Sequence, residues 1–182
     1  MALPSSSTLI DPNAVLEKAG VRADATVVDI GCGNIGHFVF PAAKAVGPNG
    51  HVYAVDIQKG VLSGIQSRAK QEGASNMETI WGDAERAGGT RIANEACDVT
   101  LVINNMYQAK DRTAFLREAA RITKRGGRVL VIDWKPTASP IGPPAASRVS
   151  SEAVKNDAMN TGLRLTEAYD AGPYHWGLLF TK

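Results

Sequence analysis

Five runs of apolar residues, each followed by polar or acidic side chains, alternate along the chain with segments of helical periodicity. These runs predict strands at residues 25–30, 51–57, 77–81, 97–105 and 128–133. The first of them is apolar on both faces, which is typical of a central parallel strand covered by helices on each side. The alternation of strands and helices predicts an α/β protein with a doubly wound sheet.

The helical segments carry recognisable start and stop signals, chiefly capping residues, proline in the first turn and a closing glycine. The predicted helices run from Asp11 to Gly20, from Phe38 to Val46, from Val61 to Gly73, from Asp111 to the basic and glycine residues at 124–127, and from Ser150 or Ser151 to Gly162.

The C-terminal part of the chain breaks the alternation. Residues 163–169 and 176–181 are strand-like, and only residues 170–175 separate them. So short a link makes these strands antiparallel neighbours. Residues 135–149 contain four prolines and are predicted to form a long irregular loop, either a lid or a linker. The serine-rich residues 1–8 are predicted to be disordered.

Composition adds few constraints. With 182 residues the chain is long enough for one domain, residues 1–182, and a net charge of +2 gives no reason to expect a nucleic-acid or membrane partner. We find no leader-like N-terminus and no apolar run of membrane-spanning length, so we expect a cytosolic protein. Cys32 and Cys97 have no metal-ligand spacing, and no metal site is predicted. The oligomeric state is left open.

The turn after the first strand is the most informative stretch. Gly31, Gly33 and Gly36 follow the strand within six positions and lead into a helix, which lets a ligand approach the main chain and the free N–H groups of the helix start. The spacing is that of the dinucleotide-binding fingerprint. Asp29, however, would disfavour a pyrophosphate and would favour an ammonium and a sulfonium, which points to S-adenosylmethionine. Cys32 is expected there as a small packing residue rather than a nucleophile.

Two further strand ends carry acids that suit a nucleoside. Asp56, followed by Ile57, ends the second strand and can accept hydrogen bonds from ribose hydroxyls. Gly82-Asp83-Ala84 follows the third strand, where Asp83 can accept from the exocyclic amine of an adenine. Either Trp81 or Ala84 could then lie against the adenine ring.

From about residue 9 onward, the order and spacing of these motifs resemble the class I S-adenosylmethionine-dependent methyltransferases. The resemblance implies a seven-stranded, mostly parallel sheet in the order 3-2-1-4-5-7-6 with strand 7 antiparallel, a bound S-adenosylmethionine and an enzyme that transfers its methyl group. The segments that carry it are Asp29–Gly33, Tyr53–Asp56, Gly82–Ala84, Asp98–Asn105, Arg125–Arg128 and the closing hairpin.

The resemblance also implies a set of cofactor contacts. In one respect the chain departs from the family, because Gly36 comes one place late, as after a one-residue insertion in the turn. The predicted cofactor-binding residues are Asp29, Gly31, Cys32, Gly33, Gly36, Asp56, Ile57, Gly82, Asp83, Ala84 and Asn104.

The candidates near the transferred methyl group lie at strand ends or in the connections there. We predict His175, Tyr174 and Asn104 as the catalytic residues, with His37 as a weaker candidate. An imidazole, with an unperturbed pKa of about 6.5, suits the removal of a proton near neutral pH, so the rate should fall as pH drops through the pKa of the histidine. Asn105, Tyr107, Asp133 and Trp134 are further candidates.

Two other functions stay open at this stage. A nicotinamide-dependent oxidoreductase fits the glycine spacing, although Asp29, Asp83 and the terminal hairpin count against it. A non-catalytic module that binds S-adenosylmethionine fits the insertion before Gly36. The acceptor is expected to be a small molecule, and no motif identifies it.

Overall fold

The computed structural model describes residues 9–137 and 139–182. Its strands are β1 (Thr26–Ile30), β2 (His51–Asp56), β3 (Met77–Trp81), β4 (Cys97–Ile103), β5 (Thr123–Trp134), β6 (Arg164–Asp170) and β7 (His175–Thr181). They form one seven-stranded sheet in the order β3-β2-β1-β4-β5-β7-β6. The predicted strand order is therefore confirmed.

Within the described residues, five helices connect and cover the strands: α1 (Pro12–Ala19), α2 (Val39–Val46), α3 (Lys59–Glu72), α4 (Arg112–Ile122) and α5 (Ser151–Met159). One face of the sheet shares a core with α1, α2 and α3, and the other face shares a core with α4 and α5. The helix starts follow the predicted signals, since the Asp11 and Ser150 side chains accept backbone N–H bonds as N-caps.

The directions of the strands bring most of their carboxyl ends to one edge of the sheet. β1 pairs in parallel with β2 and β4, β2 with β3, and β4 with β5, whereas β7 runs antiparallel to both β5 and β6. The carboxyl ends of β1 to β6 and the start of β7 therefore share an edge. The strand order reverses between β1 and β4, which is where open α/β sheets bind ligands.

The predicted end of α4 at residues 124–127 is wrong. The helix ends at Ile122, and β5 continues through Gly126 and Gly127. The C-terminal Lys182 explains this difference, because its carbonyl accepts from the Gly126 N–H at 2.9 Å and its N–H donates to the Gly127 carbonyl at 3.1 Å. A partner from the far end of the chain thus turns a helix-stop sequence into a strand.

Two other predicted segments differ in detail. His175 is the first residue of β7, paired with Trp134 of β5, rather than part of the connecting turn. The loop at 135–149 is irregular apart from a 3₁₀ turn at Ala145–Ser147. The predicted disorder of residues 1–8 lies outside the described residues. None of the helices in the described chain has the length and apolarity needed to cross a membrane.

Candidate active site

A cavity of about 660 Å³ opens at the shared edge of the sheet, between the ends of β1 and β4. Four of the predicted residues do not line it: Gly36, Tyr107, Asp133 and Tyr174. The predicted residues that line the cavity are Asp29, Gly31, Cys32, Gly33, Asp56, Ile57, Gly82, Asp83, Ala84, Asn104 and His175.

Gly31 and Gly33, in the turn after β1, have different roles. Both adopt left-handed backbone conformations, with φ of 73° at Gly31 and 68° at Gly33. A Cβ at Gly31 would collide with the Asn105 side chain, so that glycine is required by packing. A Cβ at Gly33 would meet no atom within 4 Å. The backbone at Gly33 therefore faces open space in the cavity and is accessible to a ligand.

Gly36 is a correction to the predicted cofactor contacts. A Cβ there would lie 2.8 Å from Ile65 Cδ1 and 2.8 Å from Phe40 Cε2. Gly36 thus lets α2 and α3 approach each other, and it faces the core rather than the cavity. The third glycine of the dinucleotide-like spacing, Gly36, is therefore explained by helix packing rather than by ligand binding.

Asp56 at the end of β2 has its carboxylate fixed by backbone groups. The Gly33 N–H donates to Oδ2 at 3.2 Å, and the Gln58 N–H donates to Oδ1 at 2.9 Å. Each carboxylate oxygen has a further lone pair, and the residue lines the cavity while being only 7% exposed. Such a fixed acceptor pair suits two adjacent hydroxyl groups.

Asp29 lies two positions before Gly31 and is 2% exposed. Its Oδ2 has no hydrogen-bond partner among the described residues. Burial, and secondarily the negative charge of Asp56, raises the pKa of Asp29 to about 7. A cationic group in the cavity would stabilise the charged carboxylate and supply the partner it lacks.

The turn after β3 carries the predicted adenine contacts. Asp83 Oδ1 accepts from the Glu85 N–H at 3.0 Å, and its Oδ2 lies 3.2 Å from Arg86 Nε. Ala84 and the half-exposed Ile57 line the same part of the cavity. Trp81, the alternative contact for the ring, is not among the residues that line the cavity, and its indole N–H donates to the Ile57 carbonyl at 2.8 Å.

A buried carboxylate on α4, which no local motif marks, anchors this turn. Glu118 is 2% exposed and accepts from the Gly88 N–H at 2.9 Å and from the Thr90 N–H at 3.1 Å. Arg121 donates to both of its oxygens. Burial alone would raise the pKa of Glu118, but the hydrogen bonds from Arg121 and from the turn outweigh it and lower the pKa to about 2.

Asn104 and Asn105 follow β4 and have separate roles. Asn105 donates through Nδ2 to the Ile30 and Ile103 carbonyls, both at 2.9 Å, and so joins the ends of β1 and β4. Asn104 has a left-handed backbone with φ of 58°, a conformation that costs about 1–3 kcal/mol outside glycine. Its buried Oδ1 has no partner in the described chain, and the residue lines the cavity.

His175 forms the far wall of the cavity with Trp134, at a ring-centroid distance of 4.1 Å. It is fully buried, and neither ring nitrogen has a partner among the described residues. Burial, followed by the nearby charges of Arg148 and Lys135, lowers the pKa of His175 to about 4. The imidazole is therefore neutral at pH 7, and its pKa lies below the unperturbed value of about 6.5.

Three other candidates, Tyr107, Asp133 and Tyr174, do not line the cavity. Tyr174 contributes its carbonyl, which accepts from the Lys135 N–H at 2.8 Å. Asp133 is fully buried and accepts from the backbone N–H groups of Trp134 at 2.7 Å and Tyr107 at 3.1 Å. These contacts fix the connections after β4 and β5, so the residues support the site from behind.

A family model for the methyltransferase domain matches residues 22–171. The chain belongs to this methyltransferase family. Its cofactor is S-adenosylmethionine, and its fold is that of the S-adenosylmethionine-dependent methyltransferases. The match favours this assignment over the nicotinamide-dependent oxidoreductase.

Individual relatives agree with the family. The crystal structure of an S-adenosylmethionine-dependent methyltransferase from Aquifex aeolicus superposes with a TM-score of 0.89 at 26% identity, covering 98% of this chain and 93% of that one. A ubiquinone/menaquinone biosynthesis C-methyltransferase from Hahella chejuensis is 29% identical over 69% of this chain and 49% of the relative. An arsenite methyltransferase from Halobacterium salinarum is 30% identical over 66% of this chain and 30% of the relative.

The methyltransferase chain thus spans about half the length of the quinone relative it matches and nearly all of the Aquifex structure. The cavity fits S-adenosylmethionine at three points. Asp29 offers an unpartnered carboxylate to a cation, Asp56 offers a fixed acceptor pair to hydroxyls, and Gly33 leaves open space beside its backbone.

Cys32 lies in the core of the methyltransferase as well as in the cavity lining. Burial, together with the charges of Asp29 and Asp56, raises the pKa of its thiol. The thiol therefore stays protonated, which agrees with a packing role. Among the described residues, no group of three or more histidine, cysteine or acidic side chains is placed to hold a metal ion.

Sequence reasoning missed several parts of the cavity lining. Leu9 and Ile10 reach it from the segment before α1, and Gln108 and Phe115 reach it from the region of α4. The Ile10 carbonyl lies 3.1 Å from Nε2 of His37, the weaker candidate. These contacts join segments far apart in the chain, and no local pattern marks them.

Proposed function

We propose that this chain transfers the methyl group of S-adenosylmethionine to an uncharged small-molecule acceptor. The observation that carries the proposal is a set of buried polar atoms around one cavity: Asp29 Oδ2, Asn104 Oδ1 and both ring nitrogens of His175 lack partners within the described chain. An unpaired buried polar group costs about 1–3 kcal/mol. A site that keeps several of them together is arranged for a polar ligand.

The cofactor would occupy the half of the cavity formed by β1, β2 and β3. Asp29 would hold the methionine ammonium, Asp56 the two ribose hydroxyls, and Asp83 the adenine amine, with Ile57 and Ala84 against the ring. When bound, S-adenosylmethionine supplies an electrophilic methyl group on a sulfonium. The glycine turn would allow close approach to its backbone at Gly33.

The chain's own contribution to the reaction is alignment, exclusion of water and control of one proton. A well-aligned pair of reactants gains about 7–11 kcal/mol from proximity. Asn104 would orient the acceptor through its amide, at the cost of a strained backbone. His175 is neutral and its ring nitrogens lack partners in the described chain, so one of them would accept a hydrogen bond from an acceptor hydroxyl and so hold the position of that proton.

The charge of the cavity narrows the acceptor class. The acidic residues that line the described cavity are Asp29, Asp56, Asp83 and Glu85, and the described lining contains no lysine or arginine. This field would repel an anionic acceptor. Two aromatic side chains, Phe38 and Trp134, also line the cavity.

The names of two relatives offer contrasting acceptors. The Hahella relative is named for quinone biosynthesis, and the Halobacterium relative for arsenite. A hydroxylated aromatic ring suits an apolar wall that ends in a neutral imidazole. A soft metalloid prefers thiolate ligands, whereas Cys32 keeps its proton. These observations favour the organic acceptor.

Binding and turnover test the proposal separately. S-adenosylhomocysteine should raise the melting temperature, whereas NAD and NADP should leave it unchanged. Incubation with methyl-labelled S-adenosylmethionine and a panel of 1,4-dihydroxynaphthalene, phenol carboxylates and arsenite with thiol should label the uncharged dihydroxy compound most rapidly.

Stabilisation by NAD alone would overturn the assignment of the cofactor. Binding of S-adenosylhomocysteine without transfer to the panel or to any small molecule of a cell extract would instead support the non-catalytic module. The cytosolic location and the single-domain organisation stay predictions.

A further inference from the structure

The loop at 135–149 is built around one arginine. Arg148 is 9% exposed, and its guanidinium uses five N–H donors within that loop. Nε donates to the Pro143 carbonyl at 2.9 Å, Nη1 to the Lys135 and Thr137 carbonyls at 3.1 and 2.8 Å, and Nη2 to Ser139 Oγ and the Ile141 carbonyl at 3.0 and 2.8 Å.

Proline explains why the loop needs this donor. Four of its residues, Pro136, Pro140, Pro143 and Pro144, have no N–H, so the loop has fewer donors than acceptors. A planar fork with five donors can satisfy several carbonyl groups of such a loop at once. Arg148 thus replaces the backbone hydrogen bonds of a regular element.

The loop held in this way lies directly against the cavity wall. A Cβ at Gly142 would lie 2.6 Å from Trp134 Cε3, so the loop backbone touches the indole. The Arg148 Cζ lies 5.4 Å from the centroid of the same ring. Trp134 in turn contacts His175 at a ring-centroid distance of 4.1 Å. A contiguous path therefore leads from Arg148 to the imidazole.

We propose that Arg148 is a positioning residue for methyl transfer, which fixes the Trp134–His175 wall by holding the proline loop against the indole. This rests on the proposed function, in which His175 meets the acceptor. Arg148 does not itself line the cavity, and among the lining residues it lies beside Trp134. Its effect is therefore expected at Trp134 and His175 rather than at the cofactor contacts.

The charges around His175 allow geometry and electrostatics to be separated. Arg148 and Lys135 both lower the pKa of His175, and Lys135 is itself paired with Asp170 at 2.7 Å. The neighbouring Asp133 accepts backbone N–H bonds, and burial raises its pKa to about 6. Arg148→Lys keeps the positive charge but lacks the planar five-donor fork, whereas Arg148→Gln removes both.

The test compares Arg148→Lys, Arg148→Gln and Gly142→Ala with a control, Arg112→Lys, which alters an ion pair between α4 and α5. Three properties are measured in each variant: the dissociation constant of S-adenosylhomocysteine, amide hydrogen exchange across residues 136–149, and the NMR titration of the His175 imidazole. With the acceptor that the labelling panel identifies, kcat and the KM for S-adenosylmethionine are measured as well.

We expect both Arg148 variants to keep the S-adenosylhomocysteine dissociation constant within about twofold, to exchange loop amides at least about tenfold faster and to lower kcat about tenfold. Gly142→Ala, which displaces the indole without changing Arg148, should alter the His175 signals and kcat in the same direction. Only Arg148→Gln should also raise the pKa of His175. Arg112→Lys should match the wild type.

One outcome would overturn the positioning proposal by showing a purely electrostatic role for Arg148. In that outcome, Arg148→Lys has the amide exchange and the kcat of the wild type, and Arg148→Gln has a raised His175 pKa. Equal exchange and equal His175 signals in all variants would overturn it as well. If Arg148→Gln fails to fold, Arg148→Lys and Gly142→Ala decide. Failure of the wild type to bind S-adenosylhomocysteine would instead contradict the proposed function.

Discussion

At the ends of β1, β2 and β3 the cavity is lined by acids and by a glycine turn that exposes its backbone, whereas Asn104, Trp134 and His175 line it at the ends of β4 and β5 and the start of β7. The first group, the cofactor half, is acidic, and its carboxylates at Asp56 and Asp83 accept hydrogen bonds from backbone N–H groups. The second, the acceptor half, combines the left-handed backbone of Asn104 with polar atoms of Asn104 and His175 that have no partner in the described chain.

The difference reflects the two tasks. A cofactor that is the same in every turnover can be recognised by main-chain groups and a few carboxylates, which a short sequence motif encodes. An acceptor must meet a shaped wall, and here that wall is supported by a loop, a hairpin and a strand that come together only in the folded chain. Substitutions in the two halves should therefore separate binding from turnover.

The largest effect is expected in the cofactor half. Asp56→Ala should weaken S-adenosylhomocysteine binding about 100-fold or more, because about 1.5–3 kcal/mol is lost for each charge-assisted hydrogen bond to a ribose hydroxyl. Calorimetric titration measures this change, and Asp157→Ala on α5 is the surface control. If Asp56→Ala bound S-adenosylhomocysteine with wild-type affinity, Asp56 would not be the acceptor for the ribose hydroxyls.

The anchoring of the cofactor half can be tested through stability. Because folding lowers the pKa of Glu118 from 4.5 to about 2, its contribution is complete above pH 4.5 and is lost as pH falls toward 2. Glu118→Gln should lower the free energy of unfolding by about 3 kcal/mol at pH 6 and by progressively less below pH 4.5.

Urea unfolding at several pH values measures the Glu118 effect. Glu152→Gln, which changes a carboxylate paired with Lys155 on α5, is the matched control. A destabilisation that is constant from pH 6 to pH 3 would contradict the assigned role of the Glu118 charge.

In the acceptor half, His175→Ala should lower the methyl-transfer rate at least about tenfold while S-adenosylhomocysteine affinity stays unchanged. Folding lowers the pKa of His175 to about 4, so the imidazole is the neutral acceptor at all higher pH values. The contribution of His175 to the rate should thus be constant through pH 6.5 and fall only as pH approaches 4. If His175→Ala kept the full methyl-transfer rate and the same pH profile, His175 would only form part of the cavity wall.

Asp29 should couple cofactor binding to pH. Its pKa is raised to about 7 in the described chain, and a bound ammonium would favour the charged carboxylate. Affinity for S-adenosylhomocysteine should therefore rise with pH up to about 7, by at most about tenfold per pH unit, and level off above it. Calorimetry in buffers of different ionisation heat measures the released proton. Asp29→Asn should abolish this pH dependence. If binding to the Asp29→Asn variant still released a proton, a group other than Asp29 would couple cofactor binding to pH.

The smallest effect is expected at Asp83. Its carboxylate already accepts from the Glu85 N–H and lies beside Arg86, so the loss of one adenine contact in Asp83→Ala should weaken binding by only about 0.5–1.5 kcal/mol. The wild type should lose a similar amount with an analogue that lacks the adenine amine. Equal binding of that analogue and of S-adenosylhomocysteine by the wild type would argue against the contact.

The positions of the strands along the chain followed from local sequence, whereas their order in the sheet followed from the family resemblance. Apolar runs at residues 25–30, 51–57 and 77–81 predicted the first three strands, while the nucleoside contacts of Asp56 and Asp83 stay predictions. The short link at 170–175 likewise predicted the antiparallel hairpin. The periodicity of helices and strands is a local property, and so the predictions of these strands and of the hairpin were confirmed.

Tertiary contacts decided the rest. Gly36 turned out to serve the packing of Phe40 and Ile65, Lys182 extended β5 through a predicted helix stop, and burial lowered the pKa of His175 far below its ordinary value. Each of these outcomes depends on atoms contributed by residues distant in the chain. Sequence fixes which groups are available, whereas burial and the partner that arrives from elsewhere determine their charge, conformation and contact with a ligand.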